Sequence, residues 1–319
     1  MTLTKADMLN RAINRMKENS PDREFLEREL FKAEAGIRGE KRLQRKFVEF
    51  YSSEPFEILW NTSLTLGNWP VQIDGLLLTQ KAAIILESKN ISGELHFENS
   101  TGEFYRRDSN GIKTVMDNPA VQVEKHIRFL KTWFEENKIR MRVDGLLVFT
   151  ALQAELCSLP HTIRTCRHHH MIEFLFKTIN EIPTGPQLSK QTLQKYRKTI
   201  ESQLTPFIQK PISVQYSLDP NLFEVGIYCE ACKTFNVSRL QRRWQCATCG
   251  QISANAGEEA VKDYFALFGF QANNEEIRKF LKINNRHIVK RLLSQNFISK
   301  DGSRRHSKYS LNDAEILSE

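Results

Sequence analysis

The stretch Ala82–Asn90 reads AAIILESKN, an apolar run that ends in a glutamate and a lysine two positions apart. Its composition predicts a buried strand. Alternate side chains of a strand share a face, so Glu87 and Lys89 point to the same side as Ile85. Charges lined up behind an apolar side chain are costly unless something at that strand end uses them.

Two further strand-like runs precede it, FEILWNTSL from Phe56 and VQIDGLLL from Val71. If the second pairs with the Ala82 strand as a hairpin, Asp74 and Glu87 meet at one sheet edge. Two carboxylates there suit a hard cation, since Mg²⁺ takes one or two carboxylates plus waters and phosphate oxygens. Lys89 could then orient a water or offset charge developing on a phosphate. A structural Glu87–Lys89 ion pair is the competing reading of the same residues.

The surrounding pattern is α/β. A charged helical stretch, Met1–Ala35, breaks near Asn19–Phe25 and is expected to form an accessory arm; a second helix, GIRGEKRLQRKFVEF, begins at Gly36. Its Leu43, Phe47 and Phe50 recur at helical spacing, and Glu40 lies on that stripe, facing inward. After the three strands, Gly93–Val115 reads as one hairpin turning at SNG. A helix opens at Asn118-Pro119 and sets Gln122 and His126 one turn apart. RVDGLLVFT, from Arg142, is a further buried strand.

Taken together, GIRGE with Glu40, QID with Asp74, ESKNISG with Glu87 and Lys89, and NPAVQVEKH with Gln122 resemble the NERD (nuclease-related) domain. That domain is a branch of the PD-(D/E)xK restriction-endonuclease-like superfamily. The resemblance spans Gly36–Thr150. It implies a restriction-endonuclease-like core, a mixed sheet flanked by helices, and nuclease chemistry. By the same resemblance Asp74 and Glu87 are the Mg²⁺ (or Mn²⁺) ligands and Lys89 is the catalytic lysine. Glu40 completes the site, and Gln122 holds substrate or water at its edge. His126 is a weaker candidate. His168–His170 read as surface contacts, because consecutive side chains diverge in direction.

The remaining chain carries two other signals. Cys229, Cys232, Cys246 and Cys249 form two C-x-x-C pairs that can wrap Zn²⁺ tetrahedrally, as in a zinc ribbon. Four protein ligands close the site, so its expected role is structural. Arg239, Arg242, Arg243 and Trp244 between the pairs are equally candidates for nucleic-acid contact and for structural packing.

Beyond them, three helical runs and an alternating segment around Asp301-Gly302 resemble a winged helix. Arg286, His287, Lys290 and Arg291 are expected on its recognition helix, with Ile288, Leu292 and Leu293 in the core. Arg304, Arg305 and Lys308 are expected on its wing. Between Ile277 and Lys308 ten lysines and arginines face one acid, a local +9 in a chain of net charge +8. That block favours a polyanion, DNA above all, over the protein-docking role that winged helices also serve.

The organisation expected is an arm at 1–35, the nuclease-like domain at 36–156, a helical completion or linker at 157–222, a ribbon at 223–256 and a winged helix at 257–319. No apolar run approaches the ~18 residues of a membrane span. The charged N-terminus lacks the apolar stretch of a signal peptide, and the cysteine spacing suits a reducing compartment. The expectation is therefore a cytoplasmic, metal-dependent deoxyribonuclease that does not engage membranes and for which a protein partner is allowed. Its rivals are a non-catalytic DNA-binding module on a nuclease scaffold and a purely structural interaction protein.

Overall fold

The computed structural model describes residues 3–183, 187–205, 209–302 and 307–312. It divides into two units, Glu34–Phe207 and a second made of Met1–Ala33 with Ile208–Glu319. Two helices open the chain, α1 (Lys5–Arg15) and α2 (Asp22–Phe47). The break expected near Asn19–Phe25 falls at Met16–Pro21, and none occurs at Gly36, through which α2 runs without interruption. A glycine costs about 1 kcal/mol inside a helix, too little to end one that strong helix formers flank on both sides.

In the Glu34–Phe207 unit the elements are β1 (Phe56–Leu66), β2 (Trp69–Thr79), β3 (Ala82–Lys89), β4 (Gly93–Glu98), β5 (Glu103–Arg107), β6 (Lys113–Met116), α3 (Pro119–Glu136), β7 (Arg142–Phe149), β8 (Ala154–Leu156), β9 (Arg164–Arg167), α4 (Met171–Glu181) and α5 (Lys190–Glu201). The main sheet has the order β1-β2-β3-β7-β9. Its first three strands are antiparallel neighbours, whereas β3, β7 and β9 run parallel. The sheet is mixed, and β3 sits at its centre.

A strand paired on both sides and apolar on both faces must be covered twice. Ile84 and Leu86 of β3 pack with Leu43 and Phe47 of α2 and with Met171 and Leu175 of α4. Ile85, on the opposite face, packs with Phe129, Leu130 and Trp133 of α3 and with Leu193 of α5. Each fully buried side chain of this size contributes about 1.5–3 kcal/mol. Close approach of α3 depends on Gly145 of β7, where an added Cβ would lie 2.5 Å from Val123 Cγ1.

Two readings of this region change. The single hairpin expected at Gly93–Val115 is three strands, β4, β5 and β6, which with β8 form a second sheet of order β6-β5-β4-β8. The extra turn falls in NSTG, where Gly102 has φ +77°, a left-handed conformation that glycine adopts without strain. The segment expected to be only helical supplies β9, whose four residues are too few to show a period.

The second unit adds α6 (Ile212–Gln215), β10 (Val237–Leu240), β11 (Arg243–Cys246), β12 (Ile252–Ser253), α7 (Ala256–Phe268), β13 (Gln271–Ala272), α8 (Asn274–Leu281), α9 (Arg286–Leu292), β14 (Ile298–Asp301) and β15 (Lys308–Leu311). Strands β10, β11 and β12 form one small sheet; β13, β15 and β14 form another. Helix α1 is no free arm. Its Met8, Leu9 and Ala12 are in the same core as Phe265, Ala266 and Ile277. Arg15, wholly buried, donates from Nε to Asp263 at 2.7 Å, and Arg11 pairs with Glu259 at 2.6 Å and with Asp263. No helix among the described residues is long and apolar enough to cross a membrane.

The glycines yield a paired prediction. Gly145→Ala drives a methyl into Val123 and is expected to destabilise the protein by about 1–3 kcal/mol. Gly36→Ala, in a helix with no atom within 4 Å of the new Cβ, is expected to stabilise it by about 0.5–1 kcal/mol. Urea unfolding midpoints of the two variants check both signs.

Candidate active site and cysteine cluster

The candidate site is built at the C-terminal end of β3. Antiparallel pairing with β2 sets Gly75 opposite Leu86, so the next residues outward, Asp74 and Glu87, come together. Ser88 ties them: its N–H and its hydroxyl both donate to Asp74 Oδ2, each at 2.8 Å. Lys89 Nζ donates to Glu87 Oε1 at 2.6 Å. On the other side of the carboxylate, His126 Nδ1 lies 3.5 Å from Glu87 Oε2. Glu87 is 2% exposed and His126 8%.

Helix α2 delivers Glu40 through a clamp of small and polar groups. An added Cβ at Gly39 would lie 2.8 Å from Thr150 Oγ1 and 2.9 Å from Asn90 Cβ, so only glycine lets the helix come this close. Arg42 then donates to Asn90 Oδ1 at 3.2 Å and to the Thr150 carbonyl at 3.0 Å. Asn90 in turn donates to the Ala35 carbonyl at 2.7 Å. The Thr150 N–H bonds the Lys89 carbonyl at 2.9 Å, joining the ends of β3 and β7. Half-buried Glu40 is held at the mouth of the site by these contacts.

The electrostatics follow from crowding. Burial, then the charge of Glu87, then that of Glu40 push the Asp74 carboxyl up to about 7. Glu40 is raised as well, by burial and by Glu87. Burial also acts to raise Glu87, but the His126 ring and Lys89 outweigh it and hold that carboxyl below its ordinary value. Among the described residues, Glu87 Oε2 and His126 Nδ1 are buried without a hydrogen-bond partner. Three carboxylates of which two resist ionising, and a buried carboxylate oxygen without a donor, fit a site able to take a divalent cation.

The structure thus brings Glu40, Asp74, Glu87 and Lys89 to one sheet end. It sets half-buried Gln122 one helical turn from His126 on α3. The arrangement also draws in Ser88, Asn90, Arg42 and Thr150, which the sequence reading passed over. The signal for them was Gly39: a glycine inside a helix, facing the sheet, marks a close approach. His168–His170 form a 3-10 turn after β9 and are at most half-buried.

The second cluster is the four cysteines. Among the described residues their sulfurs all lie within 4.8 Å of one another. Cys229 and Cys249 are 3.7 Å apart and Cys232 and Cys246 3.5 Å, close to the ~3.8 Å edge of a tetrahedron with 2.3 Å zinc–sulfur bonds. Backbone N–H groups of Cys249 and Thr248 bring the Cys246 thiol down to about 6 despite desolvation. The cluster can therefore bind zinc with no coordination position left open.

Of the two readings open for Trp244, nucleic-acid contact and structural packing, the burial supports packing. Trp244 is 1% exposed, and an added Cβ at Gly257 of α7 would lie 2.3 Å from its ring. Arg239 covers that ring at 4.8 Å. On α9, Arg286, His287, Lys290 and Arg291 are exposed, Val289, Leu292 and Leu293 are buried, and Ile288 is half-buried. Lys308 is exposed on β15, while Arg304 and Arg305 lie outside the described residues.

Residues 35–150 match the family model described as the nuclease-related domain, NERD. That segment contains every member of the carboxylate–lysine cluster. No curated protein and no solved structure matches the chain.

A pH prediction follows from Asp74. Its folded value, about 7, lies above the ordinary 3.8, so the unfolded chain releases this proton more readily. Its contribution to stability is present in full below pH ~4 and is lost as pH rises through ~7. In Mg²⁺-free buffer, wild type is expected to lose stability between pH ~4 and ~7 relative to Asp74→Asn, and added Mg²⁺ to reduce that loss. Urea titrations at stepped pH, with and without Mg²⁺, measure it.

Proposed function

We propose that the Glu34–Phe207 unit is a metal-dependent nuclease that hydrolyses phosphodiester bonds in DNA, on a PD-(D/E)xK type of core. The observation that supports this most is the crowding of Glu40, Asp74 and Glu87 beside Lys89 at the end of one buried strand, with Asp74 pushed up to about 7. Asp74 and Glu87 are the residues that would hold Mg²⁺ or Mn²⁺. Such a cation, when bound, supplies a Lewis acid for the phosphate and a lowered pKa for an attacking water.

The chain's own groups have separable roles in this reading. Ser88 fixes Asp74 through Oδ2, and His126 and Lys89 keep Glu87 ionised. Lys89, 26% exposed at its side chain, turns from Glu87 toward a phosphate oxygen or the attacking water. Glu40 completes the acid set from α2, and Gln122 positions water or substrate at the rim. These are the groups whose removal would cost rate rather than fold.

The second unit is proposed to hold the nuclease on DNA. The order α7-β13-α8-α9-β14-β15, with its three-stranded sheet, supports a winged helix in which α9 carries Arg286, His287, Lys290 and Arg291 to phosphates or base edges. Lys308, with Arg304 and Arg305, would serve the wing. The cysteine cluster would be a structural Zn²⁺ ribbon, and the order of nuclease-like domain, helical completion, ribbon and winged helix remains the proposed organisation, with α1 belonging to the C-terminal core instead of an arm. A cytoplasmic location is part of the same reading.

One observation favours the non-catalytic alternative: the 2.6 Å Lys89–Glu87 contact is what a purely structural ion pair would give. A cleavage assay on supercoiled and linear DNA with Mg²⁺ or Mn²⁺ separates the two. Wild type is expected to cut, and Glu87→Ala and Lys89→Ala to lose at least about a hundredfold in rate while binding DNA as wild type does. Equal nicking by all three would point to a contaminant, and binding without cleavage to the scaffold reading.

Binding itself is testable on the tail. Replacing Lys290 and Arg291 by alanine is expected to weaken binding across all sequences. The slope of log K against log salt should become shallower by about 0.9 for each phosphate that is no longer neutralised. Fluorescence anisotropy at stepped salt measures it. Cys246→Ser, by breaking a closed zinc site, is expected to lower the melting temperature and release zinc, read by atomic absorption.

A further inference from the structure

The second sheet of the Glu34–Phe207 unit carries a group of ligating side chains unrelated to the carboxylate–lysine cluster. Strands β4 and β8 are parallel, with Glu94 opposite Glu155 and Leu95 opposite Leu156. Registered partners in a sheet share a face, and every second residue returns to it. Leu95 and Leu156 accordingly turn into the apolar core with Phe97, Phe104 and Phe149, or pack against it. Glu94, His96, Glu155 and Cys157 alternate with them and fall on the other face.

There, one ligand atom each from Glu94, His96 and Cys157 lies within 4.8 Å of the other two. His96 Nε2 is 3.6 Å from Glu94 Oε2 and, among the described residues, is buried without a hydrogen-bond partner. Its ring is fixed by stacking on Tyr105, its cross-strand partner, at 4.7 Å and 8° between planes. The Cys157 backbone is fixed too: its N–H bonds the Leu95 carbonyl at 3.0 Å, and the Ser158 hydroxyl donates to the Phe97 carbonyl at 2.9 Å while accepting the Phe97 N–H at 2.7 Å. An imidazole nitrogen with no partner, a thiol and a carboxylate thus converge on rigid strands.

From this we infer that Glu94, His96 and Cys157 form a second metal site, taking a borderline-soft divalent cation of the Zn²⁺ class. One nitrogen, one sulfur and one oxygen ligand suit Zn²⁺ better than Mg²⁺, which prefers oxygen alone. Bonds of about 2.0–2.3 Å need ligand spacings of about 3.3–3.8 Å. Rotation of the exposed Glu94 and Cys157 side chains supplies that contraction without moving a strand. Unlike the four-cysteine cluster, three protein ligands leave a fourth position for water or an incoming donor. The inference does not depend on the nuclease reading.

The test uses the full chain, with its four-cysteine cluster loaded with zinc, and Zn²⁺ alone as probe. Alkylation of Cys157 by iodoacetamide is followed by peptide mass spectrometry, with buried Cys166 as internal control. Zn²⁺ is expected to protect Cys157 in wild type. His96→Ala and, separately, the surface substitution Glu94→Gln are each expected to raise the concentration for half-protection about tenfold or more. Circular dichroism checks that both variants fold. Labelling of Cys157 that is indifferent to Zn²⁺, or protection that survives in the folded Glu94→Gln and His96→Ala variants, would overturn the site.

Discussion

Everything at the candidate active site depends on carboxylates being forced together at the end of a strand that cannot move. Strand β3 is held on both edges by β2 and β7 and buried on both faces, so Glu87 has no way to swing into water. Its charge is kept by His126 and Lys89, and its neighbours Asp74 and Glu40 bear the consequence as raised pKa values. A surface cluster of the same residues would relax by rotating apart. Here the sheet keeps them together, and Asp74 and Glu40 meet the crowding by holding their protons more tightly.

Much of this was legible in the sequence, for reasons that can be stated residue by residue. The apolar run Ala82–Leu86 marks a strand buried on both sides, and the alternation within ESK puts Glu87 and Lys89 on one face. Taking the Val71 and Ala82 runs as a hairpin put Asp74 beside Glu87, and the antiparallel β2–β3 pairing bears that out. What stayed hidden were contacts made at a distance along the chain. His126 meets Glu87 only because α3 lies down on Gly145, and Arg42 reaches Asn90 and Thr150 only because Gly39 lets α2 touch the sheet end. A lone glycine announces closeness but not the partner.

The fold beyond the site was read less well where the signal was short or the partner remote. Four-residue β9 carries no usable period. The NSTG turn is overshadowed by SNG, a stronger turn sequence whose glycine stands nine residues later. The apolar face of α1 was plain in Met8, Leu9 and Ala12, but nothing local says that its complement lies some 250 residues on, in Phe265 and Ile277. For Trp244 an aromatic among arginines suits a stacking platform and a core side chain equally, and the space it fills above Gly257 decides for the core.

The discontinuity of the second unit carries a consequence for how the protein comes into being. Its first helix leaves the ribosome before the Glu34–Phe207 segment, and the helices that complete its core emerge only after that segment. Domains tend to fold as units during synthesis, so the nuclease-related segment has all its strands in hand while α1 still waits with Met8, Leu9 and buried Arg15 unmatched. Any interruption of synthesis after Phe207 would leave a finished carboxylate cluster on a chain with an unsheltered apolar helix, which marks it for capture by chaperones or proteases. A core split across segments on either side of Glu34–Phe207 therefore closes only after that segment has been made.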